Sequence, residues 1–209
     1  EVTPAADTLT ALGSTQTLEA VARDAQGDVV SGVQFDWASS DESVMTVDES
    51  GVVSAAANGT AEISATAVSA GVTGSAALAV IQRVETVTVS PDAATLTAVG
   101  ETQQFTASAT DANGSAVEGA QFVWASEDHA VATIDPSGLA TAKGAGTSAI
   151  TVTAQHIPGT ADLTVSQDPA SLAFRVEPGN VTAGGLFDPE LQVEVLDGAG
   201  SLVEDADIP

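Results

Sequence analysis

The stretch Pro4-Ala5-Ala6-Asp7-Thr8-Leu9-Thr10-Ala11-Leu12-Gly13 returns 87 residues later as Pro91-Asp92-Ala93-Ala94-Thr95-Leu96-Thr97-Ala98-Val99-Gly100. The register then holds without a gap as far as Ala67 and Ala154, and 33 of the 64 aligned pairs from Pro4 to Ala67 are identical. Among them are Asp24/Asp111, Gly27/Gly114, Phe35/Phe122, Trp37/Trp124, Asp48/Asp135 and Gly51/Gly138. Chance does not produce this, and a fixed period is the mark of a repeat architecture.

Working outward, the second copy becomes two residues shorter after Ala67, and the match resumes at Leu78/Leu163 and Val80/Val165 with a shift of 85. One loop therefore carries an insertion. A third, divergent copy opens near Asp168, where Thr182-Ala183-Gly184-Gly185 echoes Thr97-Ala98-Val99-Gly100, and Asp197-x-x-Gly200-x-x-Val203 echoes Asp111-x-x-Gly114-x-x-Val117. The expected organisation is residues 1–82 as a first repeat with a truncated opening strand, 83–167 as a second, and 168–209 as a partial, divergent third. Arg83 to Val87 have no counterpart before Glu1. The expectation is a native polypeptide longer in both directions, or missing strands supplied by another chain.

Within a repeat, short alternating runs are separated by turn residues, with no apolar stripe of helical period, which is the pattern of a small all-β sandwich of about seven antiparallel strands. Val84, Thr86 and Thr88 alternate with Glu85, Val87 and Val89, and Ser90-Pro91 ends that run. Phe105, Ala107 and Ala109 share a face in the next. Asp111-Ala112-Asn113-Gly114 then makes a turn, since Asn and Gly tolerate positive φ. Phe122 and Trp124, like Phe35 and Trp37, stand two apart and so share a strand face, which makes them core candidates. Asp135-Pro136-Ser137-Gly138 and Asp48-Glu49-Ser50-Gly51 are further turns. Ile150, Val152 and Ala154, with Leu163 and Val165, supply the last inward positions.

Five segments carry a family resemblance: Val89-Ser90-Pro91; Val99-Gly100-Glu101-Thr102-Gln103-Gln104-Phe105-Thr106-Ala107; Trp124-Ala125-Ser126-Glu127-Asp128; Val131-Ala132-Thr133-Ile134-Asp135-x-Ser137-Gly138; and Gly146-Thr147. Together they resemble the bacterial immunoglobulin-like domains of group 2, found in invasin and intimin-type adhesins and other surface proteins. The resemblance covers both full repeats and implies a tandem array of immunoglobulin-like sandwiches used as modules, without fixing a ligand. The third copy, with Leu172-Ala173-Phe174-Arg175-Val176 and Pro178, departs from the pattern and is similar to a related bacterial Ig-like type.

Charge limits the partners. The chain carries 29 acidic against 4 basic residues, a net charge of −25. It is spread as −10, −7 and −8 over residues 1–82, 83–167 and 168–209. With no basic patch the chain has no means of displacing counterions from phosphates, which excludes nucleic acid and anionic membrane surfaces. There is no cysteine, hence no disulfide or thiolate chemistry. No apolar run approaches the roughly 20 residues that span a bilayer. A secretion signal, if there is one, lies upstream or has been removed.

Catalytic chemistry finds no constellation. The histidines are His129, in a turn after Ser126-Glu127-Asp128, and His156, in the loop with the insertion. Each reads as a surface residue, and one imidazole per site does not make a zinc centre. Acidic loops invite calcium, with Asp41, Glu42, Asp48, Glu49, Asp168, Glu85 and Asp92 as candidate ligands. They lack D-x-D-x-D spacing, so the reading is a solvated acidic surface with no catalytic, cofactor or metal residues assigned. Asn58-Gly59-Thr60, Asn113-Gly114-Ser115 and Asn180-Val181-Thr182 match the glycosylation pattern, and the first two are equally explained as Asn-Gly turns. Asp24, Asp111 and Asp197, each three residues before a glycine, read as turn formers that bond local amides.

The leading expectation is thus a non-catalytic stalk or spacer of a larger secreted or cell-surface protein. Its partners would be other domains of the same chain, copies of itself, or a surface receptor or glycan. The connections near Ile81-Gln82-Arg83 and Ser166-Gln167-Asp168 are short and free of Gly-rich flexibility, as a fairly stiff rod requires. Alternatives are a self-assembling filament or surface-layer subunit using strand exchange, and a carbohydrate-binding accessory module of a secreted enzyme.

Overall fold

A computed structural model describes residues 1–176 and 192–203. The third-copy echo Thr182–Gly185, Pro178 and the acceptor motif at Asn180 lie outside the described residues. Contacts divide the chain into two compact units. Unit 1 is Glu1–Thr86 with Ala109–Ala120, and unit 2 is Val87–Ser108 with Gln121–Pro209. Among the described residues all regular structure is strand.

The first repeat runs β1 (Val2–Thr3), β2 (Ala6–Leu9), β3 (Thr15–Thr17), β4 (Glu19–Ala20), β5 (Phe35–Ser39), β6 (Met45–Val47), β7 (Val52–Ala55), β8 (Gly59–Ala67) and β9 (Thr73–Val80). One sheet has the order β2-β9-β8-β5, a second β3-β7-β6, and β1 pairs with β4. The second repeat duplicates this with β10 (Thr86–Ser90), β11 (Ala93–Leu96), β12 (Thr102–Gln104), β13 (Thr106–Thr110), β14 (Val123–Ser126), β15 (Ala132–Ile134), β16 (Leu139–Ala142), β17 (Gly146–Ala154) and β18 (Ile157–Val165). Its sheets are β11-β18-β17-β14, β12-β16-β15 and β10-β13. A final antiparallel pair joins β19 (Ser171–Val176) to β20 (Gln192–Leu196). Leu172 and Phe174 on it are exposed.

The expected seven strands per sandwich become nine segments because two strands are interrupted. Pro4 and Pro91 offer no N–H to a ladder, and there the opening strand leaves its first partner (β4 or β13) for the other sheet. Its second half then lies parallel to the last strand, Leu9 beside Val80 and Leu96 beside Val165, so one pairing in each repeat is parallel. Val84 also departs from simple alternation. Val87 and Val89 point inward from β10 as expected, but Val84 is buried too, because Glu85 and Thr86 are both exposed and break the period before the strand begins.

Period-two burial builds the cores. Along β8, Ala61, Ile63, Ala65 and Ala67 are buried, and Leu78 and Val80 answer them from β9. Met45 and Val53 close the opposite sheet. In unit 2 Ile150, Val152, Leu163 and Val165 take the places of Ile63, Ala65, Leu78 and Val80, and a fully enclosed Phe105 stands where the first repeat has Leu18. Phe35 and Trp37 share a face but only half-bury, packing against the cluster from its edge. Phe122 and Trp124 are likewise half-buried.

Gly51 and Gly138 are demanded by geometry. Their φ angles are +81° and +84°, and a Cβ would stand 2.7 Å from the Leu18 carbonyl oxygen in one case and 2.5 Å from that of Phe105 in the other. The insertion is equally local. In the β17–β18 hairpin the turn is Gln155-His156, with φ of +48° and +72°, a two-residue form with both positions left-handed. Its counterpart between Ala67 and Val72 uses four residues, which turns the shift of 87 into 85.

Candidate functional site

Two Asp-x-x-Gly turns, at Asp111 and Asp197, do more than bond their own loops. In unit 1, Oδ1 of Asp111 accepts the backbone N–H of Asn113 and of Ser115, each at 3.0 Å, as a turn former should. Its Oδ2 points the other way and accepts Leu12 N at 2.9 Å and Gln82 Nε2 at 2.9 Å. Leu12 lies at the tip between β2 and β3, where no ladder partner is available for its amide. Its carbonyl is held as well, by Asn113 Nδ2 at 2.8 Å. Gln82 completes the cluster: Nε2 also donates to Ala116 O at 3.1 Å, and its backbone N–H donates to Asn58 Oδ1 at 2.7 Å. Asn58 Nδ2 donates back to Gln82 Oε1 at 2.9 Å. Beside it, Glu85 N donates to Thr110 O at 2.8 Å.

Unit 2 repeats the arrangement. Asp197 Oδ1 accepts Ala199 N and Ser201 N at 2.9 and 2.8 Å, and its Oδ2 accepts Val99 N at 2.8 Å. Gln167 takes the place of Gln82, donating to Leu202 O at 3.2 Å and accepting Ala145 N at 3.1 Å. Ala170 N donates to Leu196 O at 2.8 Å, as Glu85 does to Thr110. We call this set of bonds the clasp.

The clasp carboxylates are only 3% and 2% exposed. Among the described residues no basic side chain forms an ion pair with either; N–H donors take the place of water. Burial alone would push the Asp111 carboxyl up, but the bonds from Gln82, Leu12, Ser115 and Asn113 outweigh it and hold it below the ordinary value. For Asp197 the Val99 amide is the largest influence and also lowers it, against burial. A carboxylate saturated in this way stays ionised and is a structural anchor, not a proton shuttle.

The other candidates stand apart from this cluster. Asp41 bonds the Ser43 amide and hydroxyl, and Asp48 bonds those of Ser50 together with the amide of Val52. Glu42, Glu49, Glu85, Asp92 and Asp168 are exposed. Among the described residues no three His, Cys, Asp or Glu side chains gather as a metal site would need. His129 and His156 are exposed turn residues. Of the glycosylation motifs, Asn58 and Asn113 spend their Nδ2 groups in the clasp. The sequence reading missed this second role, as it missed that of Gln82 and Gln167. The signal was there in that both glutamines end their repeats at equivalent positions.

Paired sheets with a strand that changes sheets at a proline, repeated along one chain, define a tandem immunoglobulin-like β-sandwich protein. The chain belongs to the bacterial Ig-like domain family, group 2, which matches residues 1–80 and 83–165. Ice-binding protein 1 of Shewanella frigidimarina (strain NCIMB 400) is 35% identical over 168 residues, which is 79% of this chain and 18% of that protein. Among solved structures, the Escherichia coli adhesin FdeC matches with a TM-score of 0.44 and 20% identity, over 98% of this chain and 74% of that one. Surface layer protein SbsC, domains 1–6, matches with a TM-score of 0.40 and 20% identity, over 90% of this chain and 27% of that one. Among the described residues no helix is long and apolar enough to cross a membrane.

Proposed function

We propose that the chain is a non-catalytic spacer of a longer extracellular or cell-surface protein, its repeats carrying another domain at a set distance. The clasp supports this most directly. A linker left to itself bends freely, whereas Gln82 and Gln167 are buried and hydrogen-bonded on both sides of their amide groups. A segment that only had to be soluble would have no use for a carboxylate buried at each linker. The Shewanella relative is named for ice binding, and the spacer reading leaves such binding to parts of a longer protein outside the repeats. A sugar platform finds little support, since Phe35, Trp37, Phe122 and Trp124 are all partly buried. Small-angle scattering on the full chain tests the reading. A profile without bead-like flexibility is expected, with added flexibility in the double variant Asp111→Ala/Asp197→Ala; a bead-like flexible profile already in the unaltered chain would refute it.

A further inference from the structure

The first clasp contains two Asn-Gly steps, Asn58-Gly59 and Asn113-Gly114, and the second contains neither, with Ala145 and Ala199 at the equivalent positions. An asparagine ahead of glycine is the dipeptide most open to intramolecular deamidation, because a residue without a side chain lets its backbone nitrogen reach the neighbouring amide carbon. The two steps are placed differently. Asn58 is held at both ends of its side-chain amide by Gln82, and Gly59 opens strand β8 opposite Val80, with the Val44 side chain 2.9 Å from where a Cβ would stand. Asn113 and Gly114 lie in an exposed turn, with φ of +80° at Gly114 and nothing within 4 Å of its Cβ position. What holds them is the clasp: Asn113 Nδ2 donates to Leu12 O at 2.8 Å, and Gly114 N donates to Asp111 O at 2.9 Å. Leu12 is thus gripped by its carbonyl from Asn113 and by its amide from Asp111.

From this geometry we infer that Asn113 is a deamidation site at which opening of the first clasp is made permanent. While the clasp is closed, the leaving nitrogen and the attacking nitrogen are both engaged as donors. Once Leu12 lets go, Gly114 N gives up its proton and bonds to Asn113 Cγ, the Cγ–Nδ2 bond breaks, and Nδ2 leaves as ammonia with that proton. Water then opens the succinimide ring at one carbonyl or the other, to aspartate or isoaspartate. The net change is gain of water and loss of ammonia, with no oxidant or reductant. The product carboxylate is ionised and offers acceptors only. It faces the Leu12 carbonyl oxygen without a proton to give, and it adds a negative charge beside the buried Asp111 carboxylate, where like charges repel. Reclosing is blocked. The second clasp, with alanine at both places, opens and closes without this chemistry. The latch needs only the clasp geometry and not the spacer reading, so its failure leaves that reading standing.

The full chain is incubated at mildly alkaline pH beside a peptide of residues 109–117, and conversion at Asn113 is followed by peptide mass mapping that separates aspartate from isoaspartate. Slow conversion is expected in the chain and fast conversion in the peptide. Asp111→Ala should speed the chain about tenfold, the loss of a hydrogen bond to a charged group. Asp197→Ala, which opens the other clasp, should leave the rate at Asn113 unchanged. Rates at Asn113 that are equal with and without Asp111 overturn the inference. Amide exchange at Leu12 tests the permanence. Asn113→Asp should lose about tenfold more protection there than Asn113→Ala, which removes the same bond without adding charge. Equal protection in these two variants, with exchange at Ile63 unchanged in both, would show that the carboxylate does not hold the clasp open, and overturns the latch.

Discussion

Oδ2 of Asp111 lies 2.9 Å from the backbone nitrogen of Leu12, although 99 residues separate them along the chain. Asp197 stands in the same relation to Val99, at 2.8 Å and 98 residues. A turn aspartate needs one oxygen for its own loop. Here the second oxygen is spent on the tip of the preceding copy, and this turns a local motif into a long-range one.

Replacing Asp111 by Ala removes the acceptor for four donors, those of Leu12, Gln82, Asn113 and Ser115. Exchange of the Leu12 amide should speed up by about tenfold or more, with no comparable change at Ile63 in the core. Hydrogen exchange followed by NMR checks this, and equal effects at both sites would mean global destabilisation instead of clasp opening.

Acid should weaken the fold through a defined set of groups. Asp41, Asp48, Asp111, Asp135 and Asp197 all have carboxyls held below the ordinary value of 3.8. For Asp41, Asp48 and Asp135 the leading cause is a serine hydroxyl, from Ser43, Ser50 and Ser137. A depressed folded value means the native state binds fewer protons than the unfolded one. Their stabilisation is therefore fully present above about pH 3.8 and is lost as pH falls through the lower folded values. Urea midpoints measured across this range should fall with acid, and less steeply in Asp111→Asn.

Glycine substitutions should divide by surroundings. At Gly51 and Gly138 an added methyl meets both a positive φ and a carbonyl oxygen under 3 Å away, so alanine there should cost well over the ~1 to 2 kcal/mol of left-handed backbone alone. At Gly27 and Gly114, with φ of +90° and +80° and nothing within 4 Å, only that backbone cost should appear. Chemical denaturation of the four variants gives the ordering, and equal losses would show that the crossing at Leu18 and Phe105 is not tight.

Core truncation should be felt in either sandwich. Ile63 and Ile150 are both fully enclosed, so changing either to Ala should cost about 2 to 5 kcal/mol. Ile81, 58% exposed in a linker, should change stability by less than about 0.5 kcal/mol when changed to Ala. Urea unfolding of the three variants provides the comparison.

The sandwich was legible because its causes are local and duplicated. Alternation along β17 and β18 marked Ile150, Val152, Leu163 and Val165 as inward, and burial follows that pattern. Trp37 and Trp124 read as core from their spacing but sit at its edge, since strand period fixes a face and not a depth. The clasp was not legible in the same way. The sequence shows Asp111 near Gly114, which explains a turn completely, and nothing in one loop tells where the other carboxylate oxygen points. The Gln155-His156 hairpin was hidden for a related reason, because neither residue advertises a positive φ.

The claim that the clasp fixes linked repeats as a spacer is tested most directly by residual dipolar couplings from weakly aligned samples. The account predicts that one alignment tensor fits the amides of the first repeat and of the Ala109–Ala120 loop, both within unit 1, in the unaltered chain, and that Asp111→Ala makes the two sets diverge. Separate tensors of different magnitude in the unaltered chain would contradict it.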